Sequence, residues 1–141
     1  LAAVGADMTR VNKSIATELM SQTEDNFEAE GRPRWPDLAE ETKKDREKQG
    51  HWPGKMLQGK GQLAASVGAQ GTAEYALVGA GKVYAAIHQF GGQAGRGRRV
   101  TIPARPYLPM VGGPESATLQ PQAEKAILDI VERHLTRALE T

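Results

Sequence analysis

Leu63-Ala64-Ala65-Ser66-Val67-Gly68-Ala69-Gln70-Gly71-Thr72-Ala73-Glu74-Tyr75-Ala76-Leu77-Val78 decides which kind of fold this chain can make. Two short apolar runs, 63–67 and 74–78, flank a glycine-containing turn at 68–72, which is the pattern of a β-hairpin. Long amphipathic stretches lie on both sides of it. Helices at the two ends with strands between them predict an α+β fold with segregated layers. The expected sheet is small and mainly antiparallel, built from about 62–69, 73–79 and 99–103, and packed by long N-terminal and C-terminal helices.

Upstream, Val11, Ile15, Leu19, Thr23 and Phe27 recur every four residues, with Met8 and Met20 beside them. That period predicts a core-facing helix from about Asp7 to Glu30. Asp7 or Thr9 can accept a hydrogen bond from the first-turn N–H groups, and Gly31 followed by Pro33 ends the helix. Pro33-Arg34-Trp35-Pro36-Asp37 reads as a stiff connector, because each proline fixes its own φ and restricts the residue before it. A shorter helix is expected from Asp37, with Asp37 and Glu40 at capping-box spacing. Its run of charges from Glu40 to Lys48 reads as a solvated face.

Downstream, apolar residues at 83, 86, 87 and 90 predict a helix over Val83–Phe90, with Phe90 buried and Gly91-Gly92 closing it. Residues 93–99 read as a flexible basic loop, and 99–103 as a short strand that Pro103 and Pro106 push to an edge. A last helix is expected from Pro121, at its first position, to about Leu139. Ile127, Ile130, Val131, Leu135, Ala138 and Leu139 form its expected buried stripe.

At 141 residues, 39% hydrophobic and 25% charged, the chain reads as one globular domain spanning 1–141. It has no cysteine, which excludes disulfides, thiolate metal sites and cysteine nucleophiles. No apolar run approaches the roughly 18 residues that span a bilayer, so no membrane partner is expected. The chain starts at Leu1 without a targeting pattern, and residues upstream of it are expected. With 18 basic and 17 acidic residues the net charge is +1, which gives no general attraction to nucleic acid. Locally the balance differs: no acid occurs between Glu74 and Glu115, while Lys82, Arg96, Arg98, Arg99 and Arg105 do.

Chemistry-bearing motifs fail one by one. Gly54 to Gly61 nearly matches a phosphate-binding P-loop, but Gly61 stands where Ser or Thr must hold Mg²⁺, and no strand precedes it. Gly95-Arg96-Gly97 opens like a dinucleotide fingerprint, yet Val100 replaces its third glycine. His51, His88 and His134 have no second histidine at metal-ligand spacing, and Ser66 and Ser116 lack a nucleophile-elbow context. No catalytic residue, cofactor or metal is therefore expected, and the chain does not read as an enzyme.

One set of blocks carries more. Tyr84-Ala85-Ala86-Ile87-His88-Gln89-Phe90-Gly91-Gly92, followed by Val100-Thr101-Ile102-Pro103-Ala104-Arg105-Pro106-Tyr107-Leu108, resembles the signature of the phage virion morphogenesis family. That family includes tail completion proteins of Mu-like and P2-like phages. Gly31-Arg32-Pro33-Arg34-Trp35-Pro36-Asp37-Leu38 resembles its Gly-x-Pro-x-Trp-x-x-Leu turn, and Thr42 stands where a threonine is expected. Met56-Leu57 with Gly61-Gln62-Leu63-Ala64-Ala65-Ser66-Val67 is similar to its Leu…Gly-x-Leu-x-x-Ser-Val strand. Gly112 to Gln120 departs from the pattern as an insertion before the last helix.

The resemblance implies a structural virion protein of the tail or neck, made in the host cytoplasm. It would complete the head-proximal end of the tail, as a tail terminator or head–tail joining protein, by forming a homo-oligomeric ring expected to be a hexamer. Other tail or neck proteins would be its partners. The alternative is a connector whose Arg96, Arg98 and Arg99 meet phosphates of the genome in the lumen. The expected ring contact pairs Arg96, Arg98 and Arg99 with Glu24, Asp25, Glu28 and Glu30 of a neighbour, and Arg105 is also expected at the interface. Tyr107, Leu108 and Met110 would supply its apolar part.

Overall fold

Thr9–Ala29 forms the long helix α1, and the Asp7 carboxylate accepts the Thr9 N–H at 2.9 Å just before it. The computed structural model describes residues 7–50, 53–58, 62–82, 85–94, 97 and 100–140. Along α1 the buried positions are Val11, Ala16, Leu19, Gln22, Thr23, Asn26 and Phe27, which lie on one side of the helix and keep that face inward. Ile15 and Met20 fall at the margin of that face. The helix stops where Glu30 turns left-handed and the Gly31 N–H reaches back to the Asn26 carbonyl at 2.8 Å. Any side chain at Gly31 would collide with the Trp35 ring, its Cβ coming within 2.5 Å.

Helix α2 (Glu40–Lys48) starts later than the capping-box spacing implied. Ala39 occupies the cap position, so Asp37 sits too far upstream; its carboxylate instead accepts the Leu38 N–H and Lys43 Nζ, both at 2.8 Å. As expected for a charge run, α2 buries no residue.

The expected hairpin exists with shifted boundaries. Residues Gln62–Ala65 form a single helical turn, α3, and the strands are β1 (Val67–Gly71) and β2 (Ala76–Ala80), paired antiparallel from Val67↔Ala80 to Gly71↔Ala76. The turn lies at 72–75 and not at 68–72. Thr72 holds it: its N–H reaches the Tyr75 carbonyl at 2.8 Å, and its hydroxyl accepts the Tyr75 N–H at 3.2 Å. Gly71 belongs to the strand because the hairpin lies against α1. A Cβ there would come within 2.5 Å of the Asn12 carbonyl oxygen and the Lys13 nitrogen. Asn12 Nδ2 then pins the turn through the Thr72 carbonyl at 2.8 Å.

Helix α4 (Ala85–Phe90) leads through Gly91 into β3 (Gly92–Ala94), which pairs antiparallel with β4 (Val100–Ile102). Residues 92–94, read as loop, are therefore strand, and 100–102 joins them and not the hairpin. A third ribbon, β5 (Met110–Val111) with β6 (Thr118–Leu119), closes the apparent insertion. Among the described residues the strands thus form three separate two-stranded ribbons and not one sheet, and the fold is α+β as expected. Helix α5 (Pro121–Leu139) carries Pro121 in its first turn and lies along α1.

The core forms where the end of α1 meets the connector and the segment after β4. Phe27 packs edge-on against Trp35 (6.1 Å between ring centres) and stacks on Tyr107 (5.4 Å). Met56, Leu63 and Ala85 complete it. Phe90 is only half-buried, against expectation, because the adjacent Gln89 points inward. The stripe expected on α5 is also corrected. Only Ala123 is fully buried, while Leu135 and Leu139 are 42% and 73% exposed, since α5 has one helical neighbour and its apolar surface is wider than that contact.

Candidate assembly surfaces

The residues expected at a ring contact fall into three groups. Arg96, Arg98 and Arg99 lie outside the described residues. Tyr107 and Arg105 are buried within the chain, which removes them from any contact surface. Tyr107 is a core residue whose hydroxyl donates to the Ala85 carbonyl at 3.0 Å, and burial raises its pKa. Arg105 latches the connector, with Nε donating to the Pro36 carbonyl and Nη2 to the Asp37 carbonyl, both at 3.0 Å. Leu108 and Met110 beside it are half-buried.

Glu24, Asp25 and Glu28 are exposed at the end of α1, and Glu30 is half-buried. Glu30 accepts the Met56 N–H at 3.3 Å, Lys55 Nζ stands 3.7 Å from Glu28, and Arg32 Nη1 stands 3.9 Å from Asp25. Glu24 has no such partner among the described residues. Exposed pairs of this length contribute at most about 1 kcal/mol each, so the cluster keeps most of its negative field.

Why Arg32 stays near these acids is a matter of buried polar wiring that the sequence reading missed. Arg32 Nε donates to Asn26 Oδ1 and its Nη2 to Gln22 Oε1, both at 2.8 Å. Asn26 Nδ2 donates to Gln120 Oε1 at 2.8 Å and to the Tyr107 carbonyl at 2.9 Å. Gln120 Nε2 closes the loop on the Arg32 carbonyl at 2.7 Å. Polar Gln22 and Asn26 on the otherwise apolar face of α1 were the available signal.

Two surface features were not anticipated. Leu128, Leu135 and Leu139 are exposed on α5 and fall within roughly 40° of one another at 100° per residue, opposite Ala123 and Ile130. On another face of α5, where it meets the start of α1, a cleft of about 210 Å³ is lined by Arg10, Ser14, Ile130, Arg133, His134 and Arg137. Among the described residues no group of three or more His, Asp or Glu side chains could hold a metal ion. No helix there is long and apolar enough to cross a membrane.

A scaffold that presents apolar and charged patches, and whose Gln22, Asn26, Arg32 and Gln120 side chains bond within the chain, suits a structural or assembly protein. The comparisons agree. The chain belongs to the phage virion morphogenesis family, whose model matches residues 1–136. It is 39% identical over 132 residues to Mu-like prophage FluMu G protein 2 of Haemophilus influenzae, covering 94% of this chain and 81% of that one. It is 32% identical over 134 residues to the putative capsid assembly protein G of Escherichia phage Mu, covering 92% and 80%. FluMu G protein 1 of Haemophilus influenzae is 38% identical over 109 residues, 74% of this chain and 67% of that one. No solved structure matches significantly. A phage structural or assembly role follows from this membership.

Proposed function

We propose that this protein completes the head-proximal end of a phage tail, or the head–tail junction, as a homo-oligomeric ring, expected to be a hexamer, in contact with other tail or neck proteins. The observation that carries this reading is the leucine face of α5. Three leucines 42–73% exposed on one helical face leave unrealised part of the about 1.5–3 kcal/mol that full burial of each side chain contributes, and an assembled ring recovers it. The name of the phage Mu relative, a putative capsid assembly protein, supports a place near the head. The alternative connector reading, with DNA met by Arg96, Arg98 and Arg99, rests on residues outside the described ones.

Native mass spectrometry of the purified protein tests the ring. One closed stoichiometry is expected, with annular particles in negative-stain micrographs. A second measurement addresses place: a phage with a stop codon in this gene should accumulate complete heads beside unjoined tails. A protein that stays monomeric at every concentration would exclude the ring.

A further inference from the structure

We propose that the cleft between the start of α1 and the end of α5 receives the acidic end of α1 from a second copy of this chain, so that copies join head to tail. This rests on the ring reading and gives the ring a direction.

The first observation is the charge order along α1. Arg10 and Lys13 stand at its start, and Glu18, Glu24, Asp25 and Glu28 follow toward its end; its first turn holds no acid and its last turn no base. That order opposes the helix dipole, which favours acids at the start and bases at the end. The other two helices of any length obey the dipole: Glu40 and Glu41 open α2 with Arg46 and Lys48 at its close, and α5 runs from Glu124 to Arg137. Only α1 is reversed among these three. Inside the chain this order is only partly compensated: the Asp7 carboxylate accepts the Thr9 N–H at the start, and Lys55 and Arg32 stand beside Glu28 and Asp25. Arg10 and Glu24 have no ion partner among the described residues, so a partner of opposite sign at each end completes the compensation.

The second observation is the cleft itself. Arg133 and Arg137 project from α5 beside Arg10, so three guanidinium groups share one cavity with no carboxylate lining it. None of the three is ion-paired among the described residues. His134 Nε2 is buried in the same wall without a hydrogen-bond partner. The cleft thus carries positive charge with no carboxylate in its lining, and one polar wall atom without a partner.

The third observation is the complement. Two cavities, about 230 and 420 Å³, run along α1 beside β1, and Met20 and Glu24 line both. Glu28 stands at the margin of the first. Carboxylates on the rim of an apolar groove suit guanidinium groups, which bond a carboxylate through two parallel N–H donors and lay their stems on apolar surface. Within one chain the two ends cannot meet, because Arg10 and Glu24 are roughly 21 Å apart along the helix axis. A two-fold pair through the cleft would set arginine against arginine. The head-to-tail contact is heterologous, the type that closes into rings, and charge of this kind fixes register and direction.

The test uses the full-length protein and two reversal variants, Arg133→Glu with Arg137→Glu and Glu24→Arg with Glu28→Arg. Each variant alone should need about tenfold more protein, or beyond, to reach half-assembly in native mass spectrometry. An equimolar mixture of the two should assemble, since each basic end then finds an acidic one, and this rescue also shows that both variants are folded. Oligomer of unchanged strength in both variants, with the wild type assembled, overturns this contact and leaves the ring standing. Wild-type protein that never assembles overturns both. Failure of the mixture to rescue overturns the pairing. So does an intact oligomer in which the arginine reversal removes binding of duplex DNA or of inorganic phosphate, because the cleft is then a phosphate site.

Discussion

Gln89 and Tyr107 are bound to each other's neighbourhoods in both directions. The Gln89 side-chain oxygen accepts the backbone N–H of Tyr107 at 3.0 Å and of Leu108 at 2.9 Å, and the Tyr107 hydroxyl returns to the carbonyl of Ala85, one turn before Gln89. The two residues staple α4 to the segment that follows β4. Replacing Gln89 by Met keeps the volume and removes the acceptor, leaving two N–H groups without a partner. Gln89→Met should cost about 2–4 kcal/mol by urea unfolding. The half-buried Phe90, changed to Ala, should cost less than the roughly 3–5 kcal/mol of a fully buried ring. A reversed order of the two effects would show that the ring and not the amide holds α4.

Arg32→Lys keeps the charge and loses the fork. Asn26 Oδ1 and Gln22 Oε1 would each lose a donor now at 2.8 Å. Stability should fall by about 2–4 kcal/mol although the net charge is unchanged. An unaltered denaturation midpoint would mean that Arg32 acts through charge alone.

Gly71→Ala places a methyl group 2.5 Å from the backbone of α1. The hairpin must then lift, with a loss of about 1–3 kcal/mol. Hydrogen exchange should quicken over 67–80 and stay slow near Phe27.

His88 ties stability to pH. Burial holds its imidazole below the ordinary value of 6.5, and the charge of Arg105 adds to this. The folded state therefore keeps the ring neutral where the unfolded chain takes up a proton. Its contribution is full above about pH 6.5 and is lost as pH falls through that value toward the lower folded pKa. Thermal unfolding should show a melting temperature that drops from about pH 7.5 to about pH 5.5, with a shallower drop in His88→Asn. Equal slopes would remove His88 from the account.

Leu128→Ser with Leu135→Ser tests the exposed face. Both side chains are open in the monomer, so stability should change by no more than about 0.5 kcal/mol each. Oligomer in native mass spectra should diminish. A lowered monomer melting temperature with assembly intact would place these leucines in the fold instead.

How far the residues announced all this depends on the kind of signal. Periodicity marked α1 and α5 within two residues at each end, because a sustained 3.6-residue pattern is a long-range average. Pro121 fixed the start of α5 locally. The hairpin was legible but its turn was misplaced: Gly68 and Gly71 look like turn residues, and only the nearness of α1 explains a glycine in the strand. Tyr107 beside prolines looked like an exposed anchor. Nothing along the chain shows that Phe27, 80 positions earlier, stacks on it. The reversed charge order of α1 was written plainly in the sequence, but its counterpart, Arg133 and Arg137 beside Arg10, needed the helix pairing to become visible.

The polar loop of Asn26, Arg32 and Gln120 bears on how the chain comes into being. Asn26 bonds Tyr107 and Gln120, 81 and 94 positions later, and Trp35 bonds Pro106 across 71. Contacts so distant in sequence close slowly, since the loop entropy must be met before they form. A nascent chain that has not yet reached Tyr107 and Gln120 leaves Asn26 Nδ2 without the two acceptors it bonds in the folded protein. Synthesis must therefore run past Gln120 before the polar part of the inward face of α1 is fully bonded, although its apolar part meets Trp35 and the hairpin earlier. A copy terminated before Gln120 lacks the amide that closes this loop, and should be less stable than the full chain.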